Sequence, residues 1–521
     1  MDIKEHGKEI QGRYEEYLRD ESRLIGQGES ISFPKSDIEV KELTSAYWGK
    51  GIPITVQGAR TGVSGSAVPC GGHVLSMEKM NTILGLTDFA DGFALEVEPG
   101  VRLAQITEAL STGIFLTDNW TDKKKATLER LKRAERQVFP PDPTETNATI
   151  GGMFACNAQG TNGYRYGNTG SHVRELNVLL VNGEHWSLTR GQYVFDKYGC
   201  PLPGGLRLET GTLNNGPFPY RSSLGAYEGM DLVDLFAGSE GMLGIVTRLV
   251  LQLRQEALER WGVLFFFDRL ENALKFVRQT LELEKKKPGA NVSAIELFHQ
   301  SSLRLIQNYK RRVTRLQEIP DLPLDAQGAI YIEMEGDSPQ LLEEALMALL
   351  EAFTQCGGRD DDTWAATGSG ELEKFKLLRH AAPESVNAHI DEIRLKQPTV
   401  TKLSTDFSAP MDCLEDTLAM YIKGLDQSNL EGAIFGHVGC NHIHVNLLPQ
   451  NPEEDERGKK LIFTWAEQIL ALGGNIITEK GVGKTKRSLF LALSTPRQLE
   501  IARTIKNYFD PKGLLNPGNM F

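Results

Sequence analysis

Gln57-Gly58-Ala59-Arg60-Thr61-Gly62-Val63-Ser64-Gly65-Ser66 follows a strand-like run, Ile52-Pro53-Ile54-Thr55-Val56-Gln57, and sets the reading of the whole chain. Glycine lets the backbone take positive φ and lets amides approach an anion with no Cβ in the way. Successive amides in such a turn form a concavity suited to a pyrophosphate. Two more stretches of this texture lie far downstream. One runs Pro140-Pro141-Asp142-Pro143-Thr144-Glu145-Thr146-Asn147-Ala148-Thr149-Ile150-Gly151-Gly152 and continues to Asn157, Gly160 and Tyr166-Gly167. The other is Gly238-Ser239-Glu240-Gly241-Met242-Leu243-Gly244-Ile245-Val246. The first stretch has no adjoining lysine–serine pair, so it is not a nucleoside-triphosphate loop. Its glycines at 58, 62 and 65 also miss the spacing of a dinucleotide fingerprint.

In order and detail the three stretches resemble the FAD-binding domain of the vanillyl-alcohol oxidase superfamily, within its D-lactate dehydrogenase, glycolate oxidase and D-2-hydroxyglutarate dehydrogenase branch. The resemblance extends from Asp20-Glu21-Ser22 to Asn516-Pro517-Gly518. It implies an α+β protein with a two-subdomain PCMH-type FAD-binding domain and a cap domain whose sheet is covered by helices. It further implies that FAD is held by Gly58, Ala59, Arg60, Thr61, Gly62, Ser64 and Gly65 of the first stretch. From the second it takes Pro141, Asp142, Thr144, Gly151, Gly152, Asn157, Gly160, Tyr166 and Gly167. The third supplies Glu240, Gly241, Gly244, Ile245 and Val246, and Asn516 completes the set. Relatives that bond the flavin through the first loop use a histidine near its start. Gly58–Gly62 offers neither histidine nor cysteine, so the FAD is expected to be non-covalent.

A chain of 521 residues has length for two or three domains and a substantial core. Its formal charge of −12 argues against a general nucleic-acid binder, which normally carries a basic face. The cysteines at 70, 156, 200, 356, 413 and 440 include no C-x-x-C pair, which excludes a ferredoxin-like module and fits reduced thiols in the cytoplasm. The charged N-terminus has no apolar core, and no run of about 18 apolar residues exists to span a membrane. Peripheral membrane attachment and a homodimer are left open.

Along the chain, residues 1–30 read as a helix and Asp37–Lys50 as a second, amphipathic one. Strand-like runs recur at Gly72–Met77, Phe93–Val97, Leu176–Val181 and Gly244–Leu253, with a helix at Leu103–Ser111. Lys123–Arg136 reads as a highly charged helix with a solvated face. Residues 190–226, poor in periodicity, read as a long excursion from the first domain over the active site. The texture changes near Arg254–Trp261. Strand–helix pairs at Val263–Phe267 with Glu271–Glu284, and Ala329–Glu335 with Pro339–Gln355, suggest a second domain with helices on one face of a sheet. The expected division is a FAD domain over 1–255, a cap over 256–474 and a return segment over 475–521.

The chemistry concentrates in Gly436-His437-Val438-Gly439-Cys440-Asn441-His442-Ile443-His444-Val445-Asn446. If His442–Asn446 is a strand, His442, His444 and Asn446 share a face, and His437 can converge on it from the preceding turn. In the resembled branch, histidines spaced as His437 and His444 join a later glutamate, here Glu479, to bind a divalent cation. Two imidazoles and a carboxylate suit Zn or Mn. The resemblance implies a Lewis acid that holds the hydroxyl and carboxylate of a small anionic 2-hydroxy acid while hydride passes to flavin N5. It also matches Arg379 to a carboxylate-binding arginine and brings Lys402 within two residues of a substrate lysine.

One position departs from the pattern. Where the branch has a histidine base after the glutamate, this chain has Lys480. A lysine near its usual pKa of about 10.4 is protonated at neutral pH. Lys480 is therefore either a depressed base or a cationic anchor, with His442 as the substitute base. Thr478-Glu479-Lys480-Gly481-Val482-Gly483-Lys484-Thr485 nearly spells a phosphate loop, but Thr478 replaces the leading glycine.

The expected activity is oxidation of a D-lactate, glycolate or D-2-hydroxyglutarate type substrate. Its electrons would leave to a quinone, cytochrome, electron-transfer flavoprotein or iron–sulfur subunit. Two alternatives stay open. One is a redox-neutral transferase resembling alkyl-dihydroxyacetone-phosphate synthase, whose histidine triplet this chain lacks. The other is a flavin-binding subunit without turnover, suggested by Lys480.

Overall fold

The computed structural model of the protein describes residues 8–10, 12–213, 224–286 and 291–521. Two compact units form: Met1–Gly160, Gly167–Glu256 and Glu479–Phe521 make the first, and Thr161–Tyr166 with Ala257–Thr478 make the second.

The first unit contains two larger sheets. In one, Lys8–Glu9, Ser30–Ser32, His73–Ser76 and Ile54–Gln57 lie side by side, the last three parallel. The helix Asp37–Gly49 starts at a Ser36 side chain that accepts from Glu39 N. Its Val40 and Tyr47 pack with Ile54, Leu75, Leu179 and Ile245. The C-terminal segment returns to this sheet, where Ile54 N donates to Leu514 O and Asn516 N to Ile54 O, each at 2.8 Å. The other sheet is antiparallel, in the order Ile83–Phe89, Gly92–Val97, Ile245–Gln252, Val173–Leu179, His185–Thr189. This pair of sheets with interleaved helices forms the first of the two expected domains.

The sheet carries an ion cluster whose contribution to stability is measurable. Glu96 accepts from Arg248 and forms a 2.6 Å pair with Lys124. Burial raises its pKa, but the hydrogen bonds and charges of Arg248 and Lys124 outweigh this and hold it below the ordinary carboxylate value. A depressed folded-state pKa stabilises above the unfolded pKa, and that stabilisation is lost as pH falls through the folded value. Glu96→Gln should therefore cost about 2 kcal/mol at neutral pH. The difference should shrink as pH drops below the ordinary carboxylate range. A gap between wild-type and variant denaturation midpoints that ignores pH would refute this.

The second unit is built on a seven-stranded antiparallel sheet. Its order is Thr363–Ala366, Glu259–Phe267, Gly328–Gly336, Asn291–His299, Gly432–His437, His442–Leu447, Leu403–Ser404. Side chains alternate along Glu259–Phe267, yet every residue from Trp261 to Phe267 is buried. Phe265 and Phe267 meet Phe276 and Phe353, from the helices Leu270–Lys286 and Pro339–Gln355. Leu264 and Phe266 instead join Leu303, Phe375 and Leu378, from Gln300–Lys310 and Ser369–Arg394. Helices therefore cover both faces, which corrects the one-face expectation. An uninterrupted apolar run signals a strand buried on both sides.

Two other expectations change. The described part of the N-terminal region is not a long helix, but a short strand, a single turn at Glu15–Leu18 and the strand Ser30–Ser32. Gly12 and Arg23 take positive φ there, 84° and 69°, which a helix cannot accommodate. The segment expected as an excursion over the active site contains a small hairpin of Gly199–Pro201 with Arg207–Glu209. Its residues 214–223 lie outside the described set. No helix among the described residues is long and apolar enough to cross a membrane.

Candidate functional site

In the first unit the three glycine stretches come together. Gly58 has to be glycine, because a Cβ there would lie 2.1 Å from the Thr149 hydroxyl. That hydroxyl caps the helix Ile150–Cys156 by accepting from Gly152 N. The third stretch docks on the same helix, with Gly238 N donating to Phe154 O and Glu240 N to Ala155 O. Gly160 pairs with Asp142, and Asn157 turns the chain at φ 57° while its side chain accepts from Gly170 N. Pro141 is buried, Thr144 exposed, and Gly167 bends at φ 74°. Gly151 presses on Pro99, Gly244 on Val178. Ile245 and Val246 open the strand that leaves the loop.

The side chains of Glu240 and Asn516 are engaged within the protein. The Glu240 carboxylate accepts from the Ser66 hydroxyl at 2.8 Å and from the amides of Val482 and Gly483 at 2.5 and 2.8 Å. Asn516 accepts from Val56 N and donates to Glu240 O. Burial, opposed by these hydrogen bonds, raises the Glu240 pKa. Burial first, then the charges of Glu240 and Glu479, push the neighbouring Cys156 thiol up to about 12, so it stays neutral. Lys480 Nζ lies 3.9 Å from the carboxylate of Glu479.

The residues fit a large anionic cofactor on three counts. One Arg60 guanidinium nitrogen and Gln159 Nε2 are buried without a hydrogen-bond partner, as is Gln57 Oε1. Arg60, at φ 61°, lies over the Tyr17 ring at 3.9 Å. Gly62 is exposed, and a Cβ built there meets nothing within 4 Å, so the loop's outer side is open to a ligand. Burying polar groups unpaired is costly, and a nucleotide would satisfy them.

In the second unit the strands Gly432–His437 and His442–Leu447 pair so that His437 faces His442 and Phe435 faces His444. Cross-strand partners share a face, and all three imidazoles converge, with ring centroids 4.5 to 5.5 Å apart. One ligand nitrogen from each lies within 4.8 Å of the others. His437 Nδ1 meets Glu296 at 2.6 Å, and His442 Nε2 meets Asp406 at 3.2 Å. His442 Nδ1 is buried with no hydrogen-bond partner. Metal-binding imidazoles commonly have one nitrogen held by a carboxylate, so this donor set fits a divalent ion.

Glu296 and Asp406 were not among the sequence candidates, because nothing local in either segment marks a histidine partner. Glu296 lies opposite Tyr331 in the sheet. Burial first, then Glu333, pushes the Tyr331 pKa up, opposed in part by the charge of Arg379, which is half-buried on Ser369–Arg394. Lys402 Nζ donates to Asn387 Oδ1 at 2.6 Å. Tyr166 also belongs to this unit, and its hydroxyl donates to Glu335. Thr478, which donates to the Ser408 hydroxyl, ends the unit, and Glu479 follows it directly in the chain.

Comparison with known proteins agrees with this architecture. Residues 259–520 match the C-terminal domain of FAD linked oxidases, and residues 29–128 and 124–189 match an FAD binding domain. The chain belongs to the FAD-linked oxidase family and is a flavoprotein oxidoreductase. It is 26% identical to a D-lactate dehydrogenase of Anaerostipes hadrus, over 97% of this chain and 92% of that one. To the glycolate oxidase subunit GlcD of Bacillus subtilis it is 26% identical, over 95% and 89%. A solved alkyldihydroxyacetonephosphate synthase superposes with a TM-score of 0.57 at 14% identity, covering 95% of this chain and 77% of that one. That likeness concerns the fold.

Proposed function

We propose that the protein oxidises a small 2-hydroxy acid of the D-lactate or glycolate type and hands the electrons to a separate acceptor. The observation that carries this reading is the cluster of His437, His442 and His444 on one sheet face, two of them oriented by buried carboxylates. The similarity to a D-lactate dehydrogenase and a glycolate oxidase subunit supports the same class.

FAD, held by the glycine stretches, supplies the hydride acceptor when bound. A divalent ion held by His437 and His444, Zn or Mn by donor type, would supply Lewis acidity. The remaining work falls to this chain's side chains. Arg379 grips the substrate carboxylate with two parallel hydrogen bonds, and Lys402 adds positive charge. His442, fixed by Asp406 at Nε2, takes the hydroxyl proton at Nδ1. Lys480, beside Glu479, anchors an anionic substrate rather than acting as base.

Anaerobic mixing with a panel of 2-hydroxy acids tests the reading. At least one should bleach the flavin's visible absorbance within a turnover time. A flavin that no 2-hydroxy acid bleaches would leave a redox-neutral or non-catalytic role. Acid precipitation of the same preparation should release yellow flavin to the supernatant. Colour retained in the pellet would contradict non-covalent binding.

A further inference from the structure

Residues 113–136 of the first unit form a surface that the oxidation chemistry does not use. The helix Leu103–Thr112 ends at Gly113, whose φ of 67° turns the chain outward. Ile114 and Leu116 follow, 74% and 87% exposed, and Leu116 is the most exposed large apolar side chain among the described residues. They are held there by a built loop. Phe115 packs at a tilt against Trp120, ring centroids 5.6 Å apart, and the buried Trp120 donates its indole N–H to Ile83 O.

The helix Asp122–Leu131 comes next. Thr127, Leu128 and Leu131 face inward, while Lys124 is tied to Glu96 and Arg130 to Asp88. Lys123, Lys125 and Arg133 are exposed and make no ion pair among the described residues. Lys125 and Lys132 share with Ile114, Phe115 and Leu128 a groove of about 510 Å³, where Lys132 also meets Glu129 at 3.2 Å. Residues 113–136 hold seven basic and four acidic side chains, in a chain whose net charge is −12. The FAD binding domain match also breaks into its two stretches within this helix.

We propose that this surface docks on an anionic phospholipid membrane. Apolar tips flanked by lysines are what an interfacial site requires: side chains enter the headgroup–acyl boundary while cations meet lipid phosphates. Charge decides the occupant. A second copy facing through the same patch would set lysine against lysine, since a two-fold contact pairs a surface with itself. Docking there would bring an electron donor to a lipid surface, where apolar acceptors partition.

The test is co-sedimentation of the FAD-loaded protein with phosphatidylcholine vesicles, with and without phosphatidylglycerol. Binding is expected only with the anionic lipid and should weaken as salt rises. Lys123→Glu with Lys125→Glu should lower the partition coefficient roughly tenfold or more, at about a kilocalorie of attraction per lysine. Ile114→Ser with Leu116→Ser should lower it comparably, while the flavin spectrum and bleaching rate stay as in wild type. Equal binding to both vesicle types, or binding that survives both double variants, would overturn the proposal. So would a dimer seen by light scattering that Leu116→Ser dissolves, because the patch would then belong to a second copy.

Discussion

His437→Ala is expected to strip the divalent ion from the protein and to slow flavin reduction by a 2-hydroxy acid about 100-fold or more, with FAD content unchanged. The reason is geometric. His437 is one of three imidazoles whose nitrogens lie within 4.8 Å, and its Nδ1 is held at 2.6 Å by Glu296. Removing the ring takes away one of the proposed ligands and also leaves the buried Glu296 carboxylate without its partner. Glu296→Gln separates the two effects, because it keeps the ring and weakens only its orientation. Metal affinity should then fall about 10- to 100-fold, as for other carboxylates behind a ligating histidine. Elemental analysis and flavin-to-protein ratios on the purified variants read both outcomes. Metal-free wild-type protein that stays fully active in chelator would sink the metal reading while leaving the oxidation reading standing.

The second large effect is expected at the junction of the glycine loops. Glu240→Ala leaves the amides of Val482 and Gly483 buried and unpaired and removes the acceptor of the Ser66 hydroxyl. At about 1–3 kcal/mol for each unsatisfied group, the loss should reach about 3 kcal/mol or more. Gly483→Ala attacks the same junction by another route, since its φ is 52° and a Cβ would lie 2.1 Å from Ser64 O. Gly62→Ala is the counterpart. A Cβ there meets no protein atom within 4 Å, so the cofactor-free protein should melt as wild type does. Its FAD affinity should nevertheless drop if the first glycine stretch holds the cofactor as proposed, because the added methyl group would then crowd it. Thermal melts of apo and FAD-loaded protein distinguish the three variants. An apo-protein melting point lowered by Gly62→Ala, with FAD affinity intact, would place the cofactor elsewhere.

Much of this was legible from residue order. Glycine reports local backbone demand directly, and Gly58, Gly160 and Gly244, expected at the cofactor, stand where the backbone closely approaches Thr149, Asp142 and Val178. Apolar periodicity likewise located Asp37–Gly49, Leu270–Lys286 and Pro339–Gln355 to within a few residues. Period two along His442–Leu447 placed His442 and His444 on one face before any strand pairing was known.

Other features depended on which segments meet. Glu296 lies 141 residues from His437, and Asp406 lies 36 from His442. No local pattern selects those carboxylates from the chain's 69 acidic residues. Strand order made the choice, by setting Asn291–His299 beside Gly432–His437. Tertiary structure also set the partners of Glu240 and Asn516, whose side chains hydrogen-bond across the joined loops. The sequence by itself determined the backbone's local geometry and the supply of ligand atoms, because glycine content and side-chain period act over a few residues. Only the tertiary structure decided which carboxylate orients which histidine and which helices cover each sheet face, because those depend on pairings between segments far apart in the chain.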